Sequence, residues 1–168
     1  KTTLLELLIG FLKSDRGQVL FRSGEALGLT GSSVYRSVID EQRKFKSIFG
    51  FAAQSPSFYG DLTIEENLRY FGALYGLSKR TIEDNIKTLL GLVGLSESRQ
   101  ALANQLSGGM QKRLDIACAM IHNPKILILD EPTADLDILL RKQMWEVVRD
   151  INRKGTTVII SSHFLDEI

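Results

Sequence analysis

A serine and two glycines at the start of a helix carry the clearest chemical meaning in this sequence. Leu106, Ser107, Gly108 and Gly109 precede a segment whose apolar residues recur at helical spacing. Glycines let a backbone approach a phosphate closely, and a helix N-terminus presents free N–H groups and partial positive charge. The segment therefore predicts an anion site, although an ordinary serine cap followed by a glycine turn would use the same residues.

Two adjacent acids, Asp130 and Glu131, follow a short apolar run. Residues 126–129 are Ile-Leu-Ile-Leu, which is typical of a strand buried on both faces of a parallel sheet. Ligands bind at the carboxyl ends of such strands. An aspartate there can hold Mg²⁺, and a neighbouring glutamate can polarise a water molecule. Solvated turn acids are the alternative, because Pro132 and Thr133 favour a turn in either case.

Three further positions have weaker signals when each is taken alone. Lys1, Thr2 and Thr3 open a helical pattern, and they match the end of the phosphate-binding loop G-x-x-x-x-G-K-[S/T] without its glycines. Gln54 and His163 each follow a predicted strand. A glutamine at a strand end usually faces solvent, and a histidine there is usually a satisfied structural residue, so only the joint pattern gives these positions weight.

The elements that would position these residues alternate between strand and helix at both ends of the chain. Residues 22–44 stay open, with 33–44 as a possible helix. The patterns predict strands at 17–21, 47–53, 125–130 and 156–161. They predict helices at 2–12, from the capping box at Thr63, around 82–93, after Ser107 and around 140–151. This order predicts an α/β core, residues 1–54 and 115–168, interrupted by a helical subdomain, residues 55–114.

The bulk composition fits one globular domain of 168 residues. The formal net charge of +1 gives no electrostatic argument for binding to nucleic acid or to a bulk membrane surface. The single cysteine, Cys118, excludes an intrachain disulfide, and its apolar neighbours predict a buried helical position. No apolar run approaches the ~20 residues of a membrane-spanning helix, so any membrane connection is expected through a partner.

Taken in order, these motifs resemble those of the ABC ATPase family over essentially the whole chain. Residues 1–5, KTTLL, are similar to the end of the Walker A loop, and Gln54 is similar to the Q-loop glutamine. Residues 106–113, LSGGMQKR, match the family signature, and residues 126–133, ILILDEPT, match Walker B. Residues 134–137 correspond to the D-loop, and His163 corresponds to the switch histidine. The resemblance implies a P-loop NTPase fold with an inserted helical subdomain.

The resemblance also implies a Mg²⁺-dependent ATPase. Glu131 would be the catalytic base, with Gln54 and His163 completing the catalytic set. Mg²⁺ would be held by Thr2, Gln54 and Asp130. The implied nucleotide-binding residues are Lys1, Thr2, Thr3, Gln54, Ser107, Gly108, Gly109, Asp130, Glu131, Asp137 and His163. Ser107 and Gly109 would contact ATP held by a second subunit, so two domains, identical or different, would pair head to tail.

The implied partner is a transmembrane permease, which places the chain peripherally on the cytoplasmic side of the cell membrane. Residues 59–68 and Met110 resemble exporters of drugs, polysaccharides or heme. Residues 55–105 leave no room for the coiled-coil arms of chromosome-maintenance and DNA-repair relatives. A soluble ABC ATPase that acts on ribosomes or nucleic acid is the alternative, but the near-neutral charge argues against extensive phosphate contacts, and no nucleic acid is expected.

Several family features are missing from the chain. The Walker A glycines and an upstream aromatic residue would precede Lys1, and further strands would follow Ile168. The resemblance therefore implies a domain truncated at both ends, which we expect to bind ATP poorly as an isolated piece because the backbone cradle for phosphate is absent. Ala134, Asp135 and Ile138 also depart from the common D-loop pattern.

Overall fold

The computed structural model describes residues 1–22 and 35–164, with only the main chain for Arg43. The strands in the described ranges are β1 Leu20–Arg22, β2 Tyr35–Ser37, β3 Phe49–Ala52, β4 Ile126–Asp130 and β5 Thr157–Ser161. The helices are α1 Thr2–Leu8, α2 Gln42–Lys46, α3 Ile64–Leu74, α4 Lys79–Leu92, α5 Gly108–Met120 and α6 Ile138–Arg153. Short 3₁₀ turns cover Ser96–Ser98 and Ala103–Gln105.

The sheet that carries the predicted acids is parallel, with β4 between β3 and β5. Leu127, Ile128 and Leu129 are all buried, as the continuous apolar run predicted for a strand covered on both faces. The register pairs Asp130 with Ser161 at the carboxyl ends of β4 and β5. The last residues of these two strands therefore meet at one edge of the sheet.

Helices α3, α4 and α5 lie between β3 and β4 in the chain. Thr63 begins α3 with the predicted capping box: its hydroxyl accepts from the Glu66 amide at 3.1 Å, and the Glu66 carboxylate accepts from the Thr63 amide at 2.8 Å. Ser78 caps α4 by accepting from the Thr81 amide. These caps satisfy N–H groups that have no partner inside the helix, so they set where the helices begin.

Helix α5 joins the helical block to the sheet through a close approach at Gly50. A Cβ built on Gly50 would lie 2.2 Å from the Ala119 carbonyl oxygen, so no larger residue fits between β3 and α5. Cys118 is buried on α5, as predicted.

Buried apolar side chains form two clusters, a larger one around α3 to α6 and β4, and a smaller one where α1, α2 and β3 meet. The smaller cluster comprises Leu5, Ile9, Val38, Phe45, Ile48, Phe49 and Ile128. No helix in the described ranges combines the length and the apolar composition that crossing a bilayer requires.

The first helix is shorter than predicted. Helix α1 ends at Leu8, and Gly10 follows with φ +75°, a left-handed conformation that stops the helix. Leu4 is 61% exposed and Leu12 is 41% exposed, so neither lies on the buried face of this segment. Leu5 and Ile9 are the buried residues of this segment. Leu12 lies beyond the end of the helix and therefore does not extend this buried face.

The prediction of a possible helix at 33–44 is also wrong over residues 35–37. Residues 35–37 form β2, which pairs antiparallel with β1, and only residues 42–46 are helical. All three side chains of β2 are exposed or half-buried, as expected for a two-stranded ribbon at the surface. Residues 23–34, where the sequence pattern left the structure open, lie outside the described residues.

Candidate functional site

The Asp130 carboxylate lies at the end of β4 and connects two other segments. It is 1% exposed. One carboxylate oxygen accepts from the Thr2 hydroxyl at 2.7 Å, and the other accepts from the Ser161 hydroxyl. Two hydroxyl donors thus hold a buried carboxylate between the start of α1 and the end of β5, so both of its oxygens have hydrogen-bond partners.

Glu131 follows Asp130 in a left-handed backbone conformation, with φ +51°. This conformation is uncommon for a residue other than glycine, and it costs on the order of 1–3 kcal/mol where the surroundings enforce it. The Glu131 amide donates to the Ser161 carbonyl at 3.1 Å, and it also lies 3.1 Å from the Ser161 hydroxyl oxygen. Backbone strain of this kind is typical of functional sites, because it directs a side chain that a regular strand would orient differently.

The Glu131 carboxylate has a cation on one oxygen and an imidazole on the other. Lys1 Nζ lies 3.3 Å from Oε1, and His163 Nδ1 lies 2.6 Å from Oε2. The His163 amide also donates to Oε2 at 3.2 Å. Removal from water raises the pKa of the Glu131 carboxyl, but the hydrogen bonds from His163 and Lys1 outweigh that effect and hold its pKa below the ordinary value. The carboxylate is therefore ionised at neutral pH.

Lys1 and Ser162 complete this side of the cluster. Lys1 Nζ donates to the Ser162 carbonyl as well as to Glu131. Thr3 is exposed on the first turn of α1. The structure therefore brings Lys1, Thr2 and His163 together with the acids, as the sequence predicted for a shared site.

Gln54 lies two residues beyond β3 and is exposed. Within the described ranges, no hydrogen bond joins its side chain to Thr2, Asp130 or Glu131. Its carbonyl accepts from Lys112 Nζ on α5. Three residues later, the Ser57 amide and hydroxyl donate to the buried Asp115 carboxylate at 3.0 and 2.6 Å. The Q-loop segment is thus attached to α5 at two points.

The signature residues occupy the N-terminus of α5. Ser107 caps the helix, with its hydroxyl 3.4 Å from the Met110 amide. Gly108 is exposed, and a Cβ there would meet nothing within 4 Å. Gly109 is buried against Leu140, which a Cβ would approach to 3.2 Å. One face of this helix start is therefore open, and the other is packed against α6.

Asp137 caps α6, accepting from the Leu140 amide at 2.9 Å. In the described residues no hydrogen bond connects Asp137 or the signature serine to the cluster around Glu131. The nucleotide contacts predicted for these residues stay predictions.

Sequence reasoning missed several residues of the site. Ser161 and Ser162 bind Asp130 and Lys1, and the parallel register was the signal that could have identified Ser161, since it places this residue opposite Asp130. Lys112 and Asp115 hold the Q-loop segment, and no sequence pattern identified that role.

Comparison with known proteins decides the family. A family model described as ABC transporter matches residues 1–134. The chain belongs to the ABC transporter family. A solved structure described as the ATP-binding subunit of an ABC transporter superposes with a TM-score of 0.74 at 26% identity, covering 99% of this chain and 65% of the other. The predicted α/β P-loop NTPase fold class is thereby confirmed.

Curated relatives in this family include several export proteins. The "Probable multidrug ABC transporter ATP-binding protein YbhF" of Escherichia coli is 34% identical, over 99% of this chain and 27% of the relative. Nod factor export ATP-binding protein I of Burkholderia lata is 34% identical, over 99% of this chain and 51% of the relative. Linearmycin resistance ATP-binding protein LnrL of Bacillus subtilis is 32% identical, over 100% of this chain and 50% of the relative. The chain spans about half or less of their lengths.

Proposed function

We propose that this chain binds ATP with Mg²⁺ and hydrolyses it to power export through a transmembrane partner. The observation that carries the proposal is the cluster at the carboxyl edge of the sheet, where Thr2 and Lys1 meet Asp130 and Glu131. A hydroxyl, a cation and two carboxylates suit a metal-bound phosphate chain. Relatives named for Nod factor export and linearmycin resistance support a transporter over an ATPase that acts on ribosomes or nucleic acid.

The side-chain oxygens of Thr2 and Asp130 are suitable ligands for Mg²⁺. Their side-chain oxygens lie 2.7 Å apart, close to the ~3.0 Å that separates neighbouring oxygens around an octahedral ion with ~2.1 Å bonds. Carboxylate and hydroxyl oxygens are ligands that this ion accepts. We assign Gln54 as a further ligand from the family pattern. When bound, Mg²⁺ would neutralise phosphate charge.

Glu131 would accept first a hydrogen bond and then a proton from the water that attacks the terminal phosphate. Lys1 now lies on Glu131, and we propose that it transfers to the phosphate oxygens when nucleotide binds. That exchange removes one of the hydrogen bonds that lower the Glu131 pKa, so the carboxylate becomes a stronger base in the nucleotide complex. His163 stays on Glu131 and would contact the phosphate that is transferred.

The open start of α5 supports a second part of the proposal, a site shared between two subunits. Ser107 and Gly108 are exposed, and together with Gly109 they would bind the terminal phosphate of ATP held by another copy or a related subunit, paired head to tail. We also assign Thr3 and Asp137 to the nucleotide.

An apolar groove of about 460 Å³ supports the transmembrane partner. Its lining includes Phe11, Phe51, Phe71, Leu74 and Tyr75. Leu74 is 65% exposed, and the groove borders the segment that follows Gln54, since Ala53 and Ser57 also line it. We propose that a helix of the permease occupies this groove, which would place the chain on the cytoplasmic face of the membrane.

The predicted division, a core of residues 1–54 and 115–168 with a helical subdomain of residues 55–114, remains part of the proposal. Helix α5 runs across its second boundary. Because Lys112, within the helical subdomain, donates to the Gln54 carbonyl, a movement of that subdomain would carry the Q-loop segment and the signature together.

Mixing two inactive variants of the full-length protein tests the shared site. Glu131→Gln removes the base, and Ser107→Arg blocks the signature. In a head-to-tail dimer of the two variants, one site carries both defects and the other carries neither. We therefore expect mixed dimers to hydrolyse ATP although each variant alone does not. If mixing restores no hydrolysis while mixed dimers are shown to form, the shared site is refuted.

The Mg²⁺ assignment has a separate test. Thr2→Val removes an oxygen ligand and Asp130→Asn removes the negative charge of another, so both should raise the Mg²⁺ concentration needed for half-maximal hydrolysis. Thr3→Val is the matched control, because Thr3 lies next to Thr2 and is assigned to no metal. An equal shift in Thr3→Val would show that the Mg²⁺ effect is indirect.

A further inference from the structure

We propose that Arg141 and Phe164 are positioning residues that hold the His163 ring against Glu131 and connect it to the turn at 134–137. The proposal rests on the proposed ATPase function, since it assumes that the Glu131–His163 pair acts in hydrolysis. Neither residue takes part in the motif pattern, and neither contacts Glu131 in the described hydrogen bonds. Both therefore act through another residue.

Phe164 covers one side of the histidine ring. The ring centroids of His163 and Phe164 lie 4.0 Å apart, with the planes tilted by 39°. The His163 side chain is 53% exposed, and Phe164 is the aromatic ring that contacts it among the described residues. Its Nδ1 bond to Glu131, at 2.6 Å, depends on the ring orientation. The Phe164 contact is therefore the packing interaction that keeps this bond formed.

Arg141 in turn fixes Phe164. The guanidinium carbon lies 3.8 Å from the centroid of the Phe164 ring, a cation–π geometry. The Arg141 Nε donates to the Leu136 carbonyl at 2.8 Å. Because the guanidinium is planar, one bond to Leu136 and one stacked ring are enough to set its orientation.

These contacts form one continuous line from the turn to the catalytic carboxylate. The line runs from the Leu136 carbonyl through Arg141 and Phe164 to His163 and Glu131. The turn contains Asp135 in a left-handed conformation, with φ +63°. A change in the turn that moves the Leu136 carbonyl would move Arg141 and release the histidine ring. The state of the turn would thus control how well Glu131 and His163 are aligned.

The test compares variants of the full-length protein. Phe164→Leu removes the aromatic face but keeps an apolar side chain, whereas Phe164→Tyr keeps the aromatic face. We expect Phe164→Leu to lower kcat about tenfold, which corresponds to about 1.4 kcal/mol, with the Kd for ATP unchanged, and Phe164→Tyr to stay near wild type. Arg141→Lys keeps the charge but loses the planar donor, so kcat should also fall, whereas Arg149→Lys, an exposed arginine on the same helix, should have no effect.

The Phe164 substitution made in a His163→Ala background separates a positioning role of Phe164 from a general structural role. In His163→Ala, single-turnover hydrolysis should be the same with Phe164 and with Leu at that position, because the ring that Phe164 holds is gone. A further tenfold loss there would overturn the proposal, as would a wild-type kcat in Phe164→Leu. If the wild type itself hydrolyses no ATP, it is the proposed function that fails.

If hydrolysis by His163→Ala is too slow to measure, the ¹⁵N NMR signal of His163 Nδ1, compared between the wild type and Phe164→Leu, tests the positioning role instead. We expect the signal to move toward that of a solvated histidine in Phe164→Leu, because the bond to Glu131 is lost. An unchanged signal would show that the ring is held without Phe164 and would overturn the proposal.

Discussion

His122 gives a quantitative prediction about the junction between the helical block and the sheet. It lies just after α5, where its Nε2 pairs with the Phe49 carbonyl at 3.0 Å. Its ring stacks on Tyr75 at a centroid distance of 3.7 Å and an interplanar angle of 12°. Its Nδ1 is buried, with no hydrogen-bond partner among the described residues. The ring is thus enclosed between β3 and the end of α3.

Burial lowers the pKa of His122 from 6.5 to about 4, although the hydrogen bond with Phe49 acts in the opposite direction. The folded state therefore disfavours the charged ring relative to the unfolded chain. A histidine with a depressed pKa contributes stability above its unfolded pKa, and this contribution is lost as the pH falls from 6.5 toward about 4. A shift of about 2.5 units at about 1.36 kcal/mol per unit corresponds to about 3 kcal/mol.

The assay is chemical denaturation of the wild type and of His122→Leu across this pH range. The difference in unfolding free energy, wild type minus variant, should fall by about 3 kcal/mol between neutral pH and the folded pKa, because only the wild type has the titrating ring. NMR titration of the His122 ring should give the pKa of about 4 directly. Titration near 6.5, or a difference that does not change with pH, would refute the enclosed ring.

Two further predictions concern the packing of α5. Gly50→Ala should lower the unfolding free energy by about 3 kcal/mol, because the added Cβ would meet the Ala119 carbonyl at 2.2 Å. Gly91→Ala is the control: a Cβ on Gly91, in α4, would meet nothing within 4 Å, so this variant should be as stable as the wild type or more stable. An equal loss of unfolding free energy in both variants would contradict the steric argument. Burial raises the pKa of Asp115, although the hydrogen bonds from Ser57 act in the opposite direction. The wild type should therefore gain stability relative to Asp115→Asn as the pH falls from neutrality toward 3.8, the ordinary pKa of the group. This gain should be lost again as the pH rises through the folded pKa. A pH-independent or falling difference in denaturation experiments would contradict this sign.

The sequence predicted the strand β4, the acids at its end and the capping box at Thr63, because each depends on local pattern. A continuous apolar run identifies a doubly buried strand, and Thr63 with Glu66 forms a cap within four residues. The prediction that the Lys1 region, the acids and His163 share a site came from the order of the motifs and the resemblance to the ABC ATPase family.

The parts that could not be predicted depend on contacts between distant segments. The strand β2 exists because it pairs with β1. The end of α1 is the exception, since the left-handed Gly10 that sets it is a local feature of the sequence. The roles of Ser161 and Phe164 follow from strand register and from packing against Arg141. Gln54 was placed correctly at a strand end and is exposed, but the attachment of its loop to Lys112 required the fold.

Hydrolysis of ATP by the full-length protein with Glu131→Gln tests the central claim most directly. Glutamine keeps the size of the side chain and can still interact with Lys1 and His163, but it cannot accept a proton. We expect this variant to bind ATP with an affinity close to that of the wild type, to accumulate dimers, and to release no phosphate above background. Phosphate release at the wild-type rate would contradict the assignment of Glu131 as the base.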